Sequence, residues 1–434
     1  MLLLIFYLLF KMKTYDHQRK ILEADPKKCL LALGTGTGKT LLGLSLAEGS
    51  TLIVTPKQQR EDLTWQKNAE KFGIICNMKV ISKEDLRRDW STLPAFDTVI
   101  LDESHFFVGC LPETRQKKGV LFPKTSQIFE ALYNFLLKHP PKRLYLLSAT
   151  PVPKPMALWG IAKLFGYDWD FWQFRAKYYN EIRMGQRRIW IAKTDKATKD
   201  KMAEIIKKLG YTGTIGDFTD LPPQIDKTVY IDLTEAQKQG IKDMVAIEAD
   251  PLVRRSRMRT IENGVLYSKK VEQGLGKVDI MSKETIIFPS KKIDYILERA
   301  QEFKKLLIFA NYTAQIEAIA GALRKEGYKV STLTGSTKDR ATVIQEAEKA
   351  DECILIAQSS VSSGWEFPSA NCTIFASLSW RFVDHEQSRG RTLRMNHIKS
   401  NLYLYLVIKG GVDEDCFKAI QSGKDFMERL TINI

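Results

Sequence analysis

Two clusters of residues in this chain carry recognisable chemistry. The first is Gly34-Thr35-Gly36-Thr37-Gly38-Lys39-Thr40, set between an apolar run at 29–33 and a helical pattern at 41–47. A phosphate chain needs inward-pointing backbone N–H groups, and glycines let a loop curl closely enough to supply them. Lys39 is placed to reach the β- and γ-phosphates, and the Thr40 hydroxyl to bind Mg²⁺. The strict G-x-x-x-x-G-K-T pattern is not met, because Leu33 stands where its first glycine belongs. A glycine-rich turn without the lysine would be a tight turn only. Gly-Lys-Thr between strand and helix predicts a site for ATP and Mg²⁺. The second cluster, Asp102-Glu103-Ser104-His105, ends the apolar run 98–101. Adjacent acids at a strand end are often solvated or helix-capping residues. Downstream of a phosphate loop, Asp102 suits the metal shell and Glu103 the attacking water.

Such residues must be held by strands. In the first half, buried-strand runs at 30–33, 51–54, 98–101 and 144–147 alternate with amphipathic stretches, the signature of a parallel sheet covered by helices. Each run ends in small, polar or acidic residues, which should converge at the carboxyl edge of the sheet. Residues 156–215 read as a helical region. Its aromatic stripe, from Trp159 to Tyr179, is assigned to packing and not to base stacking. The loop Thr219-Asp220-Leu221-Pro222-Pro223 marks a boundary. A helical, basic insertion is expected at 234–285, and strands near 306–310, 329–333, 353–357, 372–376 and 403–408 make a second α/β half. The predicted organisation is an apolar extension at 1–11, a first lobe at 12–220 and a second at 221–434.

Composition agrees with two soluble cores. The chain has 434 residues, 44% hydrophobic and 27% charged. Lys and Arg outnumber Asp and Glu by 66 to 51, and the resulting +15 favours a polyanionic partner, although a merely soluble basic protein has the same balance. Six scattered cysteines without a C-x-x-C pair argue against zinc and for reduced thiols in a cytoplasmic setting. The apolar stretch 1–10 is too short to span a bilayer and lacks the flanks of a secretory signal. Met12 as the biological start, or an added strand, is the expected reading, with an anchor as the weaker alternative.

Taken together, these motifs resemble those of superfamily-two helicases, and more closely the Swi/Snf-like branch of DNA translocases. Tyr15-Asp16-His17-Gln18 is similar to the upstream glutamine motif, which implies that Gln18 reads the adenine edge. Residues 36–40 resemble motif I, in which the early glycine is dispensable. Ile53-Val54-Thr55-Pro56-Lys57 with Trp65 resembles motif Ia, implying backbone contact with nucleic acid at Thr55 and Lys57. Asp102 to His105 resembles a DExH form of motif II. Leu147-Ser148-Ala149-Thr150-Pro151 resembles motif III, implying that Ser148 and Thr150 couple hydrolysis to the track. Leu221-Pro222-Pro223, Ser290-Lys291-Lys292 and Leu307-Ile308-Phe309 continue the likeness to the Swi/Snf-like branch. Ser362-Ser363-Gly364-Trp365-Glu366-Phe367 resembles motif V, with Glu366 in place of the usual asparagine, and places Gly364 and Glu366 at the nucleotide. Gln387-Ser388-Arg389-Gly390-Arg391-Thr392-Leu393-Arg394 resembles motif VI. It implies a coupling role for Gln387 and a pair of arginine fingers, Arg391 and Arg394, spaced i, i+3 on one helix face.

The resemblance implies two tandem RecA-like lobes with helical insertions, ATP and Mg²⁺ as cofactors, and an ATP-dependent DNA helicase or translocase. Duplex DNA is the favoured track, with single-stranded DNA or RNA as alternatives. No stable membrane association is expected, and a monomer in the cytoplasm (of the host, if viral) is. The Arg-Arg-x-Lys that normally precedes the Pro-Pro pair is replaced by residues 211–218, and motif VI ends in Met395-Asn396-His397. These departures tell against chromatin-like substrates, not against ATP hydrolysis, and the compact form resembles helicase-like proteins of phages and bacteria. Further phosphate contacts are expected at Arg60 and along Arg254, Arg255, Arg257 and Arg259, each of which is also readable as a solvated charge. Rival readings are an RNA helicase, the motor subunit of a restriction system, and a catalytically silent nucleic-acid-binding module. The last is disfavoured because Lys39, Glu103 and the arginines are all present.

Overall fold

The computed structural model describes residues 14–117, 119–150, 152, 154–184, 187–219, 222–273, 279–362, 364–393 and 400–428. The extension at 1–11, Pro151, Asp220, Leu221, Ser363 and Arg394 to His397 lie outside the described residues. The chain separates into two compact units that divide between Asp220 and Leu221. Residues 425–428 group with the first unit, whereas the sequence reading keeps them in the second lobe.

The first unit is built on β1 (Lys28–Leu33), β2 (Thr51–Thr55), β3 (Met78–Ser82), β4 (Thr98–Asp102), β7 (Arg143–Leu147) and β10 (Gly210–Gly213), in the order β10-β1-β7-β4-β2-β3. Every pairing in this sheet is parallel. Strands β2, β4 and β7 are buried along their whole length, which is why they read as unbroken apolar runs. At the amino end of β7, Arg143 is buried and binds Asp25 at 2.5 Å, Glu48 at 2.6 Å and the Tyr145 hydroxyl at 3.0 Å. The carboxyl ends of the strands are left to the motif loops.

The second unit repeats the plan with β11 (Gln224–Ile231), β14 (Lys305–Ala310), β15 (Val330–Leu333), β16 (Cys353–Gln358), β17 (Cys372–Phe375) and β18 (Asn401–Ile408), ordered β11-β18-β17-β14-β16-β15 and again all parallel. Two six-stranded parallel sheets with covering helices are the architecture of two RecA-like lobes.

Both regions expected to be helical contain hairpins. Residues 156–215 hold helices Pro155–Phe165, Phe171–Tyr178 and Lys196–Leu209, but β8 (Tyr179–Met184) and β9 (Arg187–Ala192) form an antiparallel hairpin between them. The insertion 234–285 starts with helices Glu235–Ile247 and Pro251–Glu262, then turns into the hairpin β12 (Val265–Gln273) and β13 (Asp279–Ile287). Valines, isoleucines and Tyr267 on either side of Gly274 and Gly276 suit strands joined by a turn better than a helix. A further hairpin, β5 (Cys110–Lys117) with β6 (Val120–Thr125), follows motif II. The aromatic stripe packs as expected: Trp159, Phe165, Phe171, Phe174, Tyr178 and Tyr179 belong to the first unit's core, whereas Trp172 is exposed.

Candidate active site

The loop after β1 folds as its glycines require. Gly36 and Gly38 take positive φ angles of 77° and 83°, and helix Lys39–Leu46 starts directly afterwards. Backbone N–H groups at a helix start with this curvature suit an anion. Lys39 Nζ donates to the carbonyls of Leu33 at 2.8 Å and Gly34 at 2.7 Å, and the Thr37 hydroxyl donates to Gly34 O at 2.8 Å. Thr35 on the loop and Thr40 in the first turn of the helix are half-buried.

Helix Asp16–Ala24 braces this loop. Gln18 Nε2 donates to Thr37 O at 3.0 Å, and Gln18 Oε1 accepts from Tyr15 N at 3.1 Å. Both ends of the amide are thus engaged by protein, so here Gln18 supports the loop. His17 Nε2 lies 3.1 Å from the same carbonyl. Burial holds the His17 imidazole below its ordinary pKa, partly offset by that contact. The ring of Phe218 stacks on His17, with centroids 3.8 Å apart and planes 12° apart. Gly213 leaves room for this ring, since a Cβ there would meet Phe218 Cζ at 2.1 Å. The sequence reading missed both aromatic roles. His17 lay inside a quoted motif, but nothing local pointed to Phe218.

At the end of β4, Asp102 is buried and its carboxylate is surrounded by donors. Oδ2 accepts from the Thr55 hydroxyl at 3.0 Å and from Trp65 Nε1 at 3.2 Å, and Oδ1 accepts from Glu103 N at 3.0 Å. Burial raises its pKa, against the pull of Thr55, Trp65 and the Lys39 ammonium. A buried carboxylate so disposed gains from a cation, and this arrangement suits Mg²⁺. Glu103 occupies the left-handed region at φ 51°, rare for a residue with a side chain and typical of functional sites. Its Oε2 lies 3.4 Å from His105 Nδ1. His105 Nδ1 is also 3.2 Å from the Ser148 hydroxyl, which accepts from Thr150 N at 3.1 Å. Motifs II and III are therefore linked by side-chain hydrogen bonds, with Ser148 and Thr150 both buried.

In the second unit, Gly364 has φ 85° and is exposed, as is Glu366. Arg391 is buried. Its Nε donates to Gln387 O at 2.7 Å, its Nη1 to Trp365 O, and its own carbonyl accepts from Phe367 N at 2.8 Å. The guanidinium thus ties motif VI to motif V. Gln387 is buried on helix Phe382–Arg389, which ends before Arg391, so Arg391 stands on the turn beyond the helix and not on a helix face as expected. Arg389 is a structural cation, bonded to Asp226 and to the Tyr405 hydroxyl at 2.6 Å, with the Tyr403 ring 3.9 Å away.

Several expected nucleic-acid contacts are placed otherwise. Thr55 is fully buried against Asp102, so it holds that carboxylate and presents nothing to a nucleic-acid backbone. Arg259 is buried too, donating to Leu378 O and lying 3.5 Å from Asp413. It borders a buried polar group in which Lys292 Nζ meets Asp413 at 2.5 Å, Asn263 Oδ1 at 2.8 Å and Ala376 O at 2.9 Å. Glu262 accepts there from Val412 N and Asp413 N, and burial with the Asp413 charge pushes its pKa up to about 7. Arg254 donates to Glu248 O, Arg255 pairs with Asp415 at 2.6 Å and Arg257 with Glu248 at 3.0 Å. Arg60 is bonded to Asp85, and Lys57 is exposed 3.6 Å from Glu61. Exposed pairs of this kind are cheaply exchanged, so Lys57, Arg255 and Arg257 stay accessible and Arg259 does not.

Comparison with known proteins bears on the class. The helicase conserved C-terminal domain matches residues 290–396. Over 448 residues, 91% of this chain and 41% of the relative, the sequence is 22% identical to the SWI/SNF-related matrix-associated actin-dependent regulator of chromatin subfamily A-like protein 1 of Xenopus laevis. A 195-residue stretch, 43% of this chain and 12% of the relative, is 23% identical to the chromatin-remodeling ATPase INO80 of Homo sapiens. A 129-residue stretch, 29% of this chain and 23% of the relative, is 26% identical to the ATP-dependent RNA helicase DBP3 of Yarrowia lipolytica. The chain spans less than half the length of each of these relatives. With its two parallel sheets and its motif loops, the chain is similar to superfamily-two helicases. The likeness that extends over 91% of the chain is to Swi/Snf-related proteins.

Proposed function

We propose that the chain is a nucleic-acid-dependent ATPase that couples ATP hydrolysis to movement along DNA, duplex DNA above all. The observation that carries this reading is the linked set in the first unit: the phosphate loop with Lys39, the caged Asp102 and the His105–Ser148 bond that joins motif II to motif III. Loop N–H groups and Lys39 bind the triphosphate. Asp102 and Thr40 would hold Mg²⁺, which supplies charge neutralisation at the phosphates when bound. Glu103 orients the attacking water, its strained backbone fixing the carboxylate beside His105. A shift of either acid passes through His105 to Ser148 and Thr150, where it leads toward the nucleic-acid track. Arg391 and Arg394 are assigned the stabilisation of charge on the γ-phosphate. For Arg391 this means exchanging its bonds to Gln387 O and Trp365 O for the nucleotide, so motifs V and VI would respond together.

DNA is favoured over RNA by the extent of the likeness, 91% of the chain for the chromatin regulator against 29% and 43% for two RNA helicases. ATPase assays with duplex DNA, single-stranded DNA and RNA test the reading. Duplex DNA should stimulate most, and Lys39→Ala should reduce turnover to background. Full turnover by that variant, or indifference to every nucleic acid, would overturn the assignment, and strongest stimulation by RNA would move it to the RNA helicases.

A further inference from the structure

Outside motifs V and VI, the second unit buries four charged side chains in one group. Lys292, Glu262 and Asp413 each expose 1% of their surface, and Arg259 exposes 8%. Apolar residues of similar volume often serve stability as well as a buried ionic group does, so stability alone does not account for these charges. Lys292 also stands in the first turn of helix Lys291–Ala300, where the helix dipole disfavours a cation. Its place is therefore set by its partners and not by its helix.

Both cations hold backbone. Lys292 Nζ donates to Ala376 O at 2.9 Å, and Arg259 donates to Leu378 O, which also accepts from Asn311 Nδ2. Ala376 and Leu378 lie in the stretch that leaves β17 and enters helix Phe382–Arg389, the helix of motif VI. Ser379 extends the hold: its hydroxyl donates to Asp384 in that helix at 2.8 Å and accepts from Arg381 N at 3.1 Å. The helix ends near Gln387, whose carbonyl accepts from Arg391 Nε at 2.7 Å. Asp413 is the shared counter-charge, 2.5 Å from Lys292 and 3.5 Å from Arg259. Asn263 bridges the pair, donating to Asp413 at 3.0 Å and accepting from Lys292 at 2.8 Å. Glu262 steadies Asp413 by accepting from Val412 N at 2.8 Å and Asp413 N at 2.9 Å. Gly411 leaves space for it, since a Cβ there would meet Glu262 Oε1 at 2.6 Å. Arg259, Glu262 and Asn263 all come from the end of helix Pro251–Glu262, so the insertion grips the entry to motif VI.

We infer that Lys292 and Arg259 are positioning residues for motif VI: they fix the stretch 376–381, and through it the helix and the turn on which Arg391 stands. Charge-assisted bonds to two named carbonyls are directional, whereas apolar packing would let the stretch slide. The inference rests on the reading above in which Arg391 serves the γ-phosphate, and adds to it the residues that aim this arginine. Charge on the γ-phosphate oxygens grows in the transition state, so a misplaced Arg391 lowers kcat and leaves KM for ATP nearly unchanged.

The test measures kcat and KM for ATP in the full chain with saturating duplex DNA. The variants are Lys292→Met, Arg259→Gln and Arg391→Ala, with each of the first two also combined with the third. Arg259→Gln leaves the Lys292–Asp413 pair in place, so it keeps the test alive should Lys292→Met fail to fold. Each positioning variant should lower kcat about tenfold or more with KM within about twofold. Arg391→Ala should lower kcat about 10³-fold. Adding either positioning change to Arg391→Ala should cost no more than about twofold further, because the side chain being aimed is gone. A merely structural role would lower the melting temperature and multiply with Arg391→Ala. Multiplied losses in the double variants, or kcat within about twofold of the unaltered chain in Arg259→Gln, would overturn the inference and leave the motor reading in place. Full turnover by Arg391→Ala alone would remove the role given to that arginine under the motor reading, and the inference with it.

Discussion

Gly38 and Gln18 cannot both keep their places once a methyl group is added between them. Gly38 sits at φ +83°, where a β-carbon costs about 1–2 kcal/mol. A Cβ built there meets Gln18 Nε2 at 2.2 Å, so the amide must leave Thr37 O and with it the accepted bond from Tyr15 N. Losing both hydrogen bonds costs about 1–2 kcal/mol, limited because Thr37 O keeps His17 at 3.1 Å. Gly38→Ala should therefore destabilise the first unit by about 2–4 kcal/mol and Gln18→Ala by about 1–2 kcal/mol. In the double variant the glutamine bonds are lost once, not twice. Its cost should stay at about 2–4 kcal/mol, leaving a coupling energy of about 1–2 kcal/mol. Urea denaturation followed by tryptophan fluorescence reads this unit, because six of the eight tryptophans (Trp65, Trp90, Trp159, Trp169, Trp172 and Trp190) lie within it. Costs that add within about 0.5 kcal/mol would refute the contact and, with it, Gln18 as the brace of the phosphate loop.

Thr55→Val removes a donor to the buried Asp102 carboxylate, a bond worth about 1.5–3 kcal/mol. Turnover should fall about 10- to 100-fold while nucleic-acid affinity by anisotropy stays the same, and weakened affinity with full turnover would return Thr55 to the track. Glu262 has a pKa raised from 4.5 to about 7 by burial and by Asp413. Because the folded value is the higher one, its contribution to stability is full below about pH 4.5 and is lost as pH rises through about 7. Hydrogen exchange of helix Pro251–Glu262 between about pH 5 and 8 should show that decline in the native chain and a flatter profile in Glu262→Gln. An equally steep profile in the variant would assign the effect to another group.

The legible parts of the fold are those whose physics is local. Buried central strands such as Thr98–Asp102 and Arg143–Leu147 appear as unbroken apolar runs, and the phosphate loop and motif II each lie within a few consecutive residues. Three of the four edge strands were missed because solvent breaks their pattern: β11 is buried only at Ile231, β3 only at Ile81 and Ser82, and β10 is Gly-Tyr-Thr-Gly, whereas the edge strand β15 was expected at 329–333. The three hairpins were missed because they do not contribute strands to either sheet, and their short apolar runs, such as 120–122 and 189–192, stand outside the strand–helix alternation. Misassigned roles share another cause. Thr55 meets Asp102 across 47 residues and Arg259 meets Leu378 across 119 residues, so their tasks depend on partners that no local window contains.

The stacking of Phe218 on His17 gives the chain a short relay. His17 touches the carbonyl of Thr37, and three residues beyond Phe218 the polypeptide has passed into the second unit. A displacement of the glycine-rich loop thus bears directly on the stacked His17–Phe218 pair, without first deforming a strand that Arg143 clamps at its far end.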